Sequence, residues 1–346
     1  MVDTKSDTTK NNFDEEEITT SPRVSVLVFV YQNDPNLIDC MRTLHNQILD
    51  DMEIIVLVHY QDERSQEIIN DYSKRDSRFR MILCKYSDYA KTMNSAINLT
   101  KAEYVGFLHS SDFIDPEMFI ELFALAKKHD ADVVRCNYYD FCDGKNNLHE
   151  AVLDEESGYV IDTTEDTHIF YEPAIVWAGL YKVSFLKKEN IQFLEGIIPT
   201  YLDASFHIKS LTAGGAVVLS DKAYYHHRAT DSNSIIKSED VYLLVNEEFA
   251  DIERFLRKRK IMDTYGRILQ PIKFVNYYDN LMRLPESQLE KYALRVRAEM
   301  HDADVKNMVL KGYFPKESWK NLRNILKMPP QVFMLQLKKQ IKSKRK

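Results

Sequence analysis

The chain has 346 residues, of which 44% are apolar and 29% are charged, a composition typical of a globular protein with one large domain and an appendage. Its net charge of -7 excludes a nucleic-acid partner, because nucleic-acid binders carry a basic footprint. No run of about 18 apolar residues occurs, so we expect a cytoplasmic protein whose four cysteines stay reduced.

The first two thirds of the chain predict a doubly wound α/β sheet. Residues 1–21 are polar and are predicted to be disordered. After them, apolar runs rich in β-branched residues alternate with helical patterns, which is typical of βαβ units. The predicted strands are 24–30, 54–58, 80–84, 104–108, 133–136 and 216–225, and the predicted helices are 37–48, 63–72, 91–100, 116–128 and 180–193.

The last third of the chain predicts helices. Residues 237–331 carry apolar stripes at helical spacing, and residues 332–346 form an amphipathic tail that contains six basic residues. Two interpretations of this tail remain open. In the first, it lies on the anionic inner face of a membrane, where each basic residue contributes about 1 kcal/mol. In the second, its apolar residues pack on the body of the protein.

A polar cluster follows the predicted strand at 104–108. In open α/β sheets, ligands bind beyond the carboxyl ends of the strands. A site for a hard divalent cation there would need two carboxylates, because such cations prefer oxygen ligands. The chain offers His109, Ser111 and a single carboxylate, Asp112.

The order of several short segments resembles the family 2 glycosyltransferases of the GT-A fold, which are inverting enzymes that build bacterial capsules and other surface glycans. The resemblance implies a GT-A domain over residues 22–236 with a doubly wound mixed sheet, followed by the helical region. The matching segments are 24–31, 44–47, 94–96, 103–116, 201–206 and 224–235.

The resemblance also assigns roles to individual residues. Asp203 falls at the position of the general base, which takes the proton of the acceptor hydroxyl. Tyr31, His59, Asn94 and His109 fall on the side that binds the nucleotide-sugar donor. Asp112 falls at the metal motif, so Mn²⁺ or Mg²⁺ is implied only if the protein is active. A competing interpretation of Asp203 is a helix N-cap, a position at which aspartate is favoured.

Four positions on the donor side depart from the family pattern. Val58-His59 stands where the family has paired aspartates, Met93 replaces an arginine, Gly179 replaces a lysine, and Ser111 replaces a carboxylate. Valine accepts no hydrogen bond, and methionine brings no charge to a diphosphate. These losses favour a pseudo-glycosyltransferase that serves as a binding or scaffold subunit for an active partner transferase. The alternative is an active enzyme with an atypical or metal-independent donor site.

The histidines allow a further interpretation. His59 and His109 could hold a transition metal beside Asp112, since imidazole is a good ligand for zinc or iron; polar filling is the competing explanation. His226 and His227 lie in a strand-like run and should point to opposite faces, so at most one of them can reach the cleft.

Overall fold

The computed structural model describes residues 21–85, 88–196, 203–228 and 241–344. Within these ranges, helices cover a ten-stranded mixed sheet, and further helices complete the C-terminal part of the chain. Residues 1–20 of the segment predicted to be disordered lie outside the described ranges. The four cysteines are free in the structure, and two of them, Cys40 and Cys136, are buried.

The sheet combines a parallel half with a mixed half. Strands β1 to β4 pair in parallel, whereas β9 runs antiparallel between β4 and β6. The spatial order is β3-β2-β1-β4-β9-β6-β10-β5, with β7 beside β6 and β8 beside β10. The strands are β1 (Val24–Phe29), β2 (Met52–His59), β3 (Phe79–Cys84), β4 (Tyr104–His109), β5 (Phe113–Ile114), β6 (Val133–Cys142), β7 (Lys145–His149), β8 (Val160–Ile161), β9 (Gly179–Lys182) and β10 (Val217–Arg228).

The helices follow the predicted pattern with one correction. Residues 180–193 were expected to form one helix, but Gly179–Lys182 is strand β9 and the helix begins at Val183. A Cβ atom on Gly179 would lie 2.2 Å from the carbonyl oxygen of Val134 on β6, so this strand contact requires glycine. The helices are α1 (Leu37–His45), α2 (Glu63–Arg75), α3 (Tyr89–Leu99), α4 (Met118–His129), α5 (Val183–Glu189), α6 (Ala204–Thr212), α7 (Val241–Lys258), α8 (Met262–Arg283), α9 (Glu286–Val305), α10 (Lys316–Lys327) and α11 (Pro330–Lys344).

The pairing of β1 with β4 positions the candidate site. Both strands are buried along their whole length, as their apolar sequences require. Their register sets Phe29 opposite His109, so the two strands end side by side. The loop after β1 therefore lies next to the polar cluster after β4.

The tail predicted from the sequence is helix α11, which packs on α8, α9 and α10. Phe333, Leu337 and Ile341 form a buried stripe at a spacing of four residues. This stripe agrees with the interpretation in which the tail packs on the body. Throughout the described ranges, each helix is too short or too polar to cross a bilayer.

Helix α7 supplies the cap of helix α6. The backbone N–H of Ser205, in the first turn of α6, donates to Oε2 of Glu248 at 2.6 Å, and the Ser205 hydroxyl donates to Asp251 at 2.6 Å. Lys209 also donates to Asp251, at 2.7 Å. Burial raises the pKa of Glu248 to about 8. The helical region is therefore joined to the sheet domain by buried polar contacts.

We expect Glu248→Ala to lower the free energy of unfolding by about 1 kcal/mol, because it leaves a helix N-terminal N–H without its acceptor. Glu248→Gln keeps an acceptor oxygen and should retain most of the stability. Urea unfolding followed by circular dichroism measures both variants, with Glu247→Ala, at an exposed neighbouring position, as the matched control. Equal losses in the alanine and glutamine variants would contradict the capping role.

Candidate active site

A cleft of about 630 Å³ opens beyond the carboxyl ends of β1 and β4. The loop after β1 forms one wall, and the segment before β9 together with the end of β10 forms the other. Of the residues predicted from the sequence, the cleft brings together four, namely Tyr31, His109, Asp112 and Asp203. Its other lining residues include Asp34, Tyr138, Asp140, Ile175, Trp177, His227 and Arg228.

Asp112 is held by hydrogen bonds from the protein. Its Oδ2 accepts from the Tyr225 hydroxyl at 2.6 Å, and its Oδ1 accepts from the Arg228 backbone N–H at 2.9 Å. The side chain is 1% exposed. Burial raises the pKa of Asp112 to about 6, although the nearby His227 and the Tyr225 hydrogen bond act in the opposite direction.

The polar cluster after β4 offers a divalent cation a single carboxylate, Asp112. Both oxygens of Asp112 already bind protein donors, and the neighbouring position 111 is a serine. In the part of the chain that the structure describes, no group of three or more histidine, cysteine, aspartate or glutamate side chains could hold a metal ion. The interpretation in which His59 and His109 hold a transition metal beside Asp112 is wrong, because these three described residues do not form such a group.

His109 is a neutral residue of the cleft wall. Burial, with a contribution from His227, lowers its pKa to about 3. Its ring packs edge-on against Tyr31 and Tyr89, with centroid distances of 5.7 and 5.8 Å. His109 therefore brings no positive charge to a diphosphate at neutral pH, whereas Tyr31 presents a half-buried ring to the cleft.

Arg228 is the cation of the cleft. Its guanidinium bonds Asp39 at 2.9 Å and lies over the rings of Phe113 and Phe141, at 4.9 and 5.1 Å from their centroids. Its Nε atom has no hydrogen-bond partner among the described residues. These contacts fix the position of the charge at the end of β10, on the same wall as Asp112.

Asp203 is a buried carboxylate at the wall of the cleft. It occupies the N-cap position of α6, as the competing interpretation predicts, but its side chain makes no capping hydrogen bond. Oδ1 is buried without a partner in the described part of the chain. Burial raises the pKa of Asp203 to about 8, and Arg135 offsets this effect only in part.

Aromatic rings connect the two ends of the cleft. Trp177 stacks on Tyr225 with a centroid distance of 4.2 Å and on His227 at 5.3 Å. Tyr225 in turn donates to Asp112. As expected, only one of the paired histidines reaches the cleft, since His226 instead stacks on Phe113.

Two predicted donor residues are not brought to the cleft. His59 ends β2, where its Nδ1 accepts from the Gln61 backbone N–H at 3.4 Å. Asn94 bonds the backbone of Phe193 twice, at 2.9 Å in both directions, and donates to Glu195 at 3.1 Å. Asn94 therefore fixes the segment after α5. Its amide is buried in that contact.

Sequence reasoning missed the roles of Arg228, Trp177 and Glu248. Arg228 and Trp177 lie near or within the segments of the family resemblance, and their residue types could have identified them as a candidate cation and a stacking surface. Glu248 carried no such signal, because its partner lies 43 positions away in the sequence.

Comparisons with known proteins agree with the fold. A family model described as glycosyl transferase family 2 matches residues 25–180. Two Bacillus subtilis proteins, described as the uncharacterized glycosyltransferase EpsJ and the putative glycosyltransferase EpsH, are 28% and 26% identical, each over 60% of this chain. The matched region spans 61% of the length of each relative.

A solved structure extends the likeness through the helical region. The crystal structure of S. aureus TarS 1-349 in complex with UDP-GlcNAc superposes with a TM-score of 0.58 at 18% identity, and covers 88% of this chain and 90% of that one. The similarity shows a shared GT-A fold, and together with the family match it confirms the resemblance inferred from the sequence. Through residues 25–180, the chain is similar to the family 2 glycosyltransferases.

Proposed function

We propose that this protein is an inverting glycosyltransferase of bacterial surface-glycan assembly, with Asp203 as the general base and a donor site that works without a metal ion. The observation that carries the proposal is the state of Asp203. Its carboxylate lines the cleft, Oδ1 has no partner among the described residues, and Glu248 takes over the capping of α6.

The proposed reaction is a single displacement at the anomeric carbon of the donor sugar. The acceptor hydroxyl attacks from one face, and Asp203 accepts its proton. The bond to the nucleoside diphosphate breaks on the opposite face, so the configuration inverts. A carboxylate with a raised pKa is a stronger base than an exposed aspartate, which favours this proton transfer.

In this proposal, Arg228 stabilises the negative charge that develops on the leaving diphosphate. Arg228 lines the cleft, and its guanidinium is fixed by Asp39 and two aromatic rings. A fixed cation in a partly buried site stabilises a developing negative charge without reorganisation. In this proposal, Arg228 supplies the charge that a metal ion supplies at a paired-carboxylate site.

The relatives favour a nucleotide-sugar donor and a surface-glycan acceptor. TarS, described as a poly(ribitol-phosphate) beta-N-acetylglucosaminyltransferase, was solved with UDP-GlcNAc and with UDP. A further relative from Bacillus spizizenii is described as a poly(ribitol-phosphate) beta-glucosyltransferase. We therefore propose a UDP-sugar as the donor class.

A second candidate is the pseudo-glycosyltransferase, a scaffold subunit for an active partner transferase. The observation that favours it is that residues predicted to bind the donor lie outside the cleft or make hydrogen bonds within the protein. Asn94 is held by Phe193 and Glu195, His59 lies outside the cleft, and both oxygens of Asp112 are occupied. Binding of the donor nucleotide separates the two candidates.

We expect UDP to raise the melting temperature of the protein equally in EDTA and in Mn²⁺, because Arg228 rather than a metal meets the diphosphate. At 100 times its dissociation constant, a ligand adds about 2.7 kcal/mol of stability. Arg228→Gln should reduce the shift, whereas Arg80→Gln, at an exposed site on β3, should not. Absence of any shift with UDP would favour the scaffold, and a shift that requires Mn²⁺ would overturn the metal-free site.

We expect Asp203→Asn to reduce UDP release from a UDP-sugar by about 10²- to 10⁴-fold, the range typical of a lost general base. The wild-type rate should rise with pH and level off above the pKa of about 8, because only the ionised carboxylate accepts the proton. Asp71→Asn, on the exposed side of α2, is the control. An unchanged rate or pH profile in Asp203→Asn would exclude Asp203 as the base.

The pH dependence of the free energy of unfolding should show whether Asp203→Asn loses activity through the missing base or through misfolding. The folded pKa of Asp203 is about 8, above the unfolded value of about 3.9. Its contribution to stability is therefore fully present below about pH 4 and is lost as the pH rises through 8. Between these limits, wild type should lose about 1.4 kcal/mol more per pH unit than Asp203→Asn, as measured by urea unfolding.

We also propose that α11 attaches the protein to an anionic membrane surface. Its buried stripe leaves an outer stripe of Val332, Leu335, Lys339 and Lys342, all exposed. Two apolar and two basic residues at helical spacing suit an anionic interface. This stripe would place the protein at the inner face of the membrane.

Sedimentation with phosphatidylglycerol vesicles tests this attachment. We expect salt-sensitive binding that is weakened when Lys339→Gln and Lys342→Gln are combined, because each basic residue near the surface contributes about 1 kcal/mol. Lys74→Gln, on the exposed side of α2, is the control. Binding that is absent in wild type, or unchanged in the double variant, would exclude α11 as the membrane contact.

A further inference from the structure

A second polar pocket lies in the helical region, between α7, α8 and α9, with a volume of about 340 Å³. We refer to it as the helical pocket. Its floor consists of Asn246, Gln270 and Lys273, which are 1%, 2% and 5% exposed. Its rim carries exposed charged side chains, including Arg257 and Lys306. The pocket is thus open to solvent at the rim and buried at the floor.

Two amide oxygens at this floor lack hydrogen-bond donors. Oε1 of Gln270 and both Oδ1 and Nδ2 of Asn246 are buried, and none of these three atoms has a hydrogen-bond partner within the described ranges. By contrast, Lys273 bonds Glu253 at 2.7 Å and Glu299 at 2.9 Å. A buried acceptor without a donor is costly. The floor therefore favours a ligand that donates hydrogen bonds.

The charge of the lining selects the type of donor. The lining carries four cationic side chains, Arg257, Lys273, Arg295 and Lys306, and three anionic ones, Glu253, Glu299 and Asp302. The small positive excess disfavours an ammonium group, whereas a hydroxyl group is neutral and can both donate to the two oxygens and accept from Asn246 Nδ2. Met262 and Met308 add an apolar wall that suits the C–H face of a sugar or polyol.

We infer that the helical pocket binds a hydroxyl-rich unit, a single sugar or polyol of a glycan chain, whose hydroxyls donate to Gln270 and Asn246. The ligand class follows from the pocket alone. The further statement that this sugar or polyol is part of the acceptor glycan rests on the proposed function. In that case the helical region holds a remote unit of the acceptor while another unit reacts in the cleft.

Saturation-transfer NMR on the full chain tests the pocket with three probes: glucose, N-acetylglucosamine and ribitol. We expect transfer to at least one probe, and at least a tenfold rise in its dissociation constant in Gln270→Leu. Asn276→Leu, at an exposed position of α8, is the matched control and should bind as wild type does.

A second variant narrows the pocket without removing a polar group. A Cβ atom on Gly266 would lie 3.0 Å from Cε of Met262 and 3.1 Å from Sδ of Met308, so Gly266→Ala should push the two methionines into the pocket. Alanine is also the better helix former, which keeps α8 intact. We expect weaker binding of the same probe in this variant.

The outcomes separate the pocket from the cleft. Transfer to none of the three probes, or binding that persists unchanged in Gln270→Leu, would overturn the inference. Probe binding by a protein that fails to bind UDP would support the pocket and contradict the proposed donor site. Binding of UDP without binding of any probe would support the proposed donor site and contradict the helical pocket as a binding site.

Discussion

The candidate site depends on a hydrogen bond between two parts of the chain, from the backbone N–H of Ser205 to the carboxyl group of Glu248. A helix begins with N–H groups that lack partners, and an aspartate at the N-cap usually satisfies one of them. Here Glu248 of α7 does so. Asp203 therefore keeps its position at the start of α6 while its carboxyl group stays available to the cleft.

On the donor side, a buried carboxyl group likewise makes its hydrogen bonds within the protein. The family resemblance assigns Asp112 to the metal motif, and in the structure Tyr225 and the Arg228 backbone bind both of its oxygens. Asp112 thus helps to fix the end of β10, where Arg228 lines the cleft.

The sequence predicted the parallel half of the sheet well, because each of these strands is a short apolar run followed by an amphipathic helix. It failed at β9, where Leu180 and Tyr181 form an apolar pair that fits a helix or a strand equally well. The close backbone contact of Gly179 with Val134, which identifies the strand, joins residues distant in sequence. The order of family segments pointed to Asp203 and Asp112, and the structure places both in the cleft. The partners of Asn94 and Asp203 could not be predicted, because they are set by packing between distant elements.

The capping of α6 by α7 has a consequence for where the functional unit ends. The family match stops at residue 180, and a fragment designed on that limit would lack Asp203 altogether. A fragment cut after β10 would keep Asp203 but lose Glu248 and Asp251, so α6 would start without its acceptors. The carboxyl group of Asp203 would then be the nearest substitute cap and would turn away from the cleft. The smallest excisable unit that keeps these acceptors therefore includes α7, and the helical region supports the candidate site.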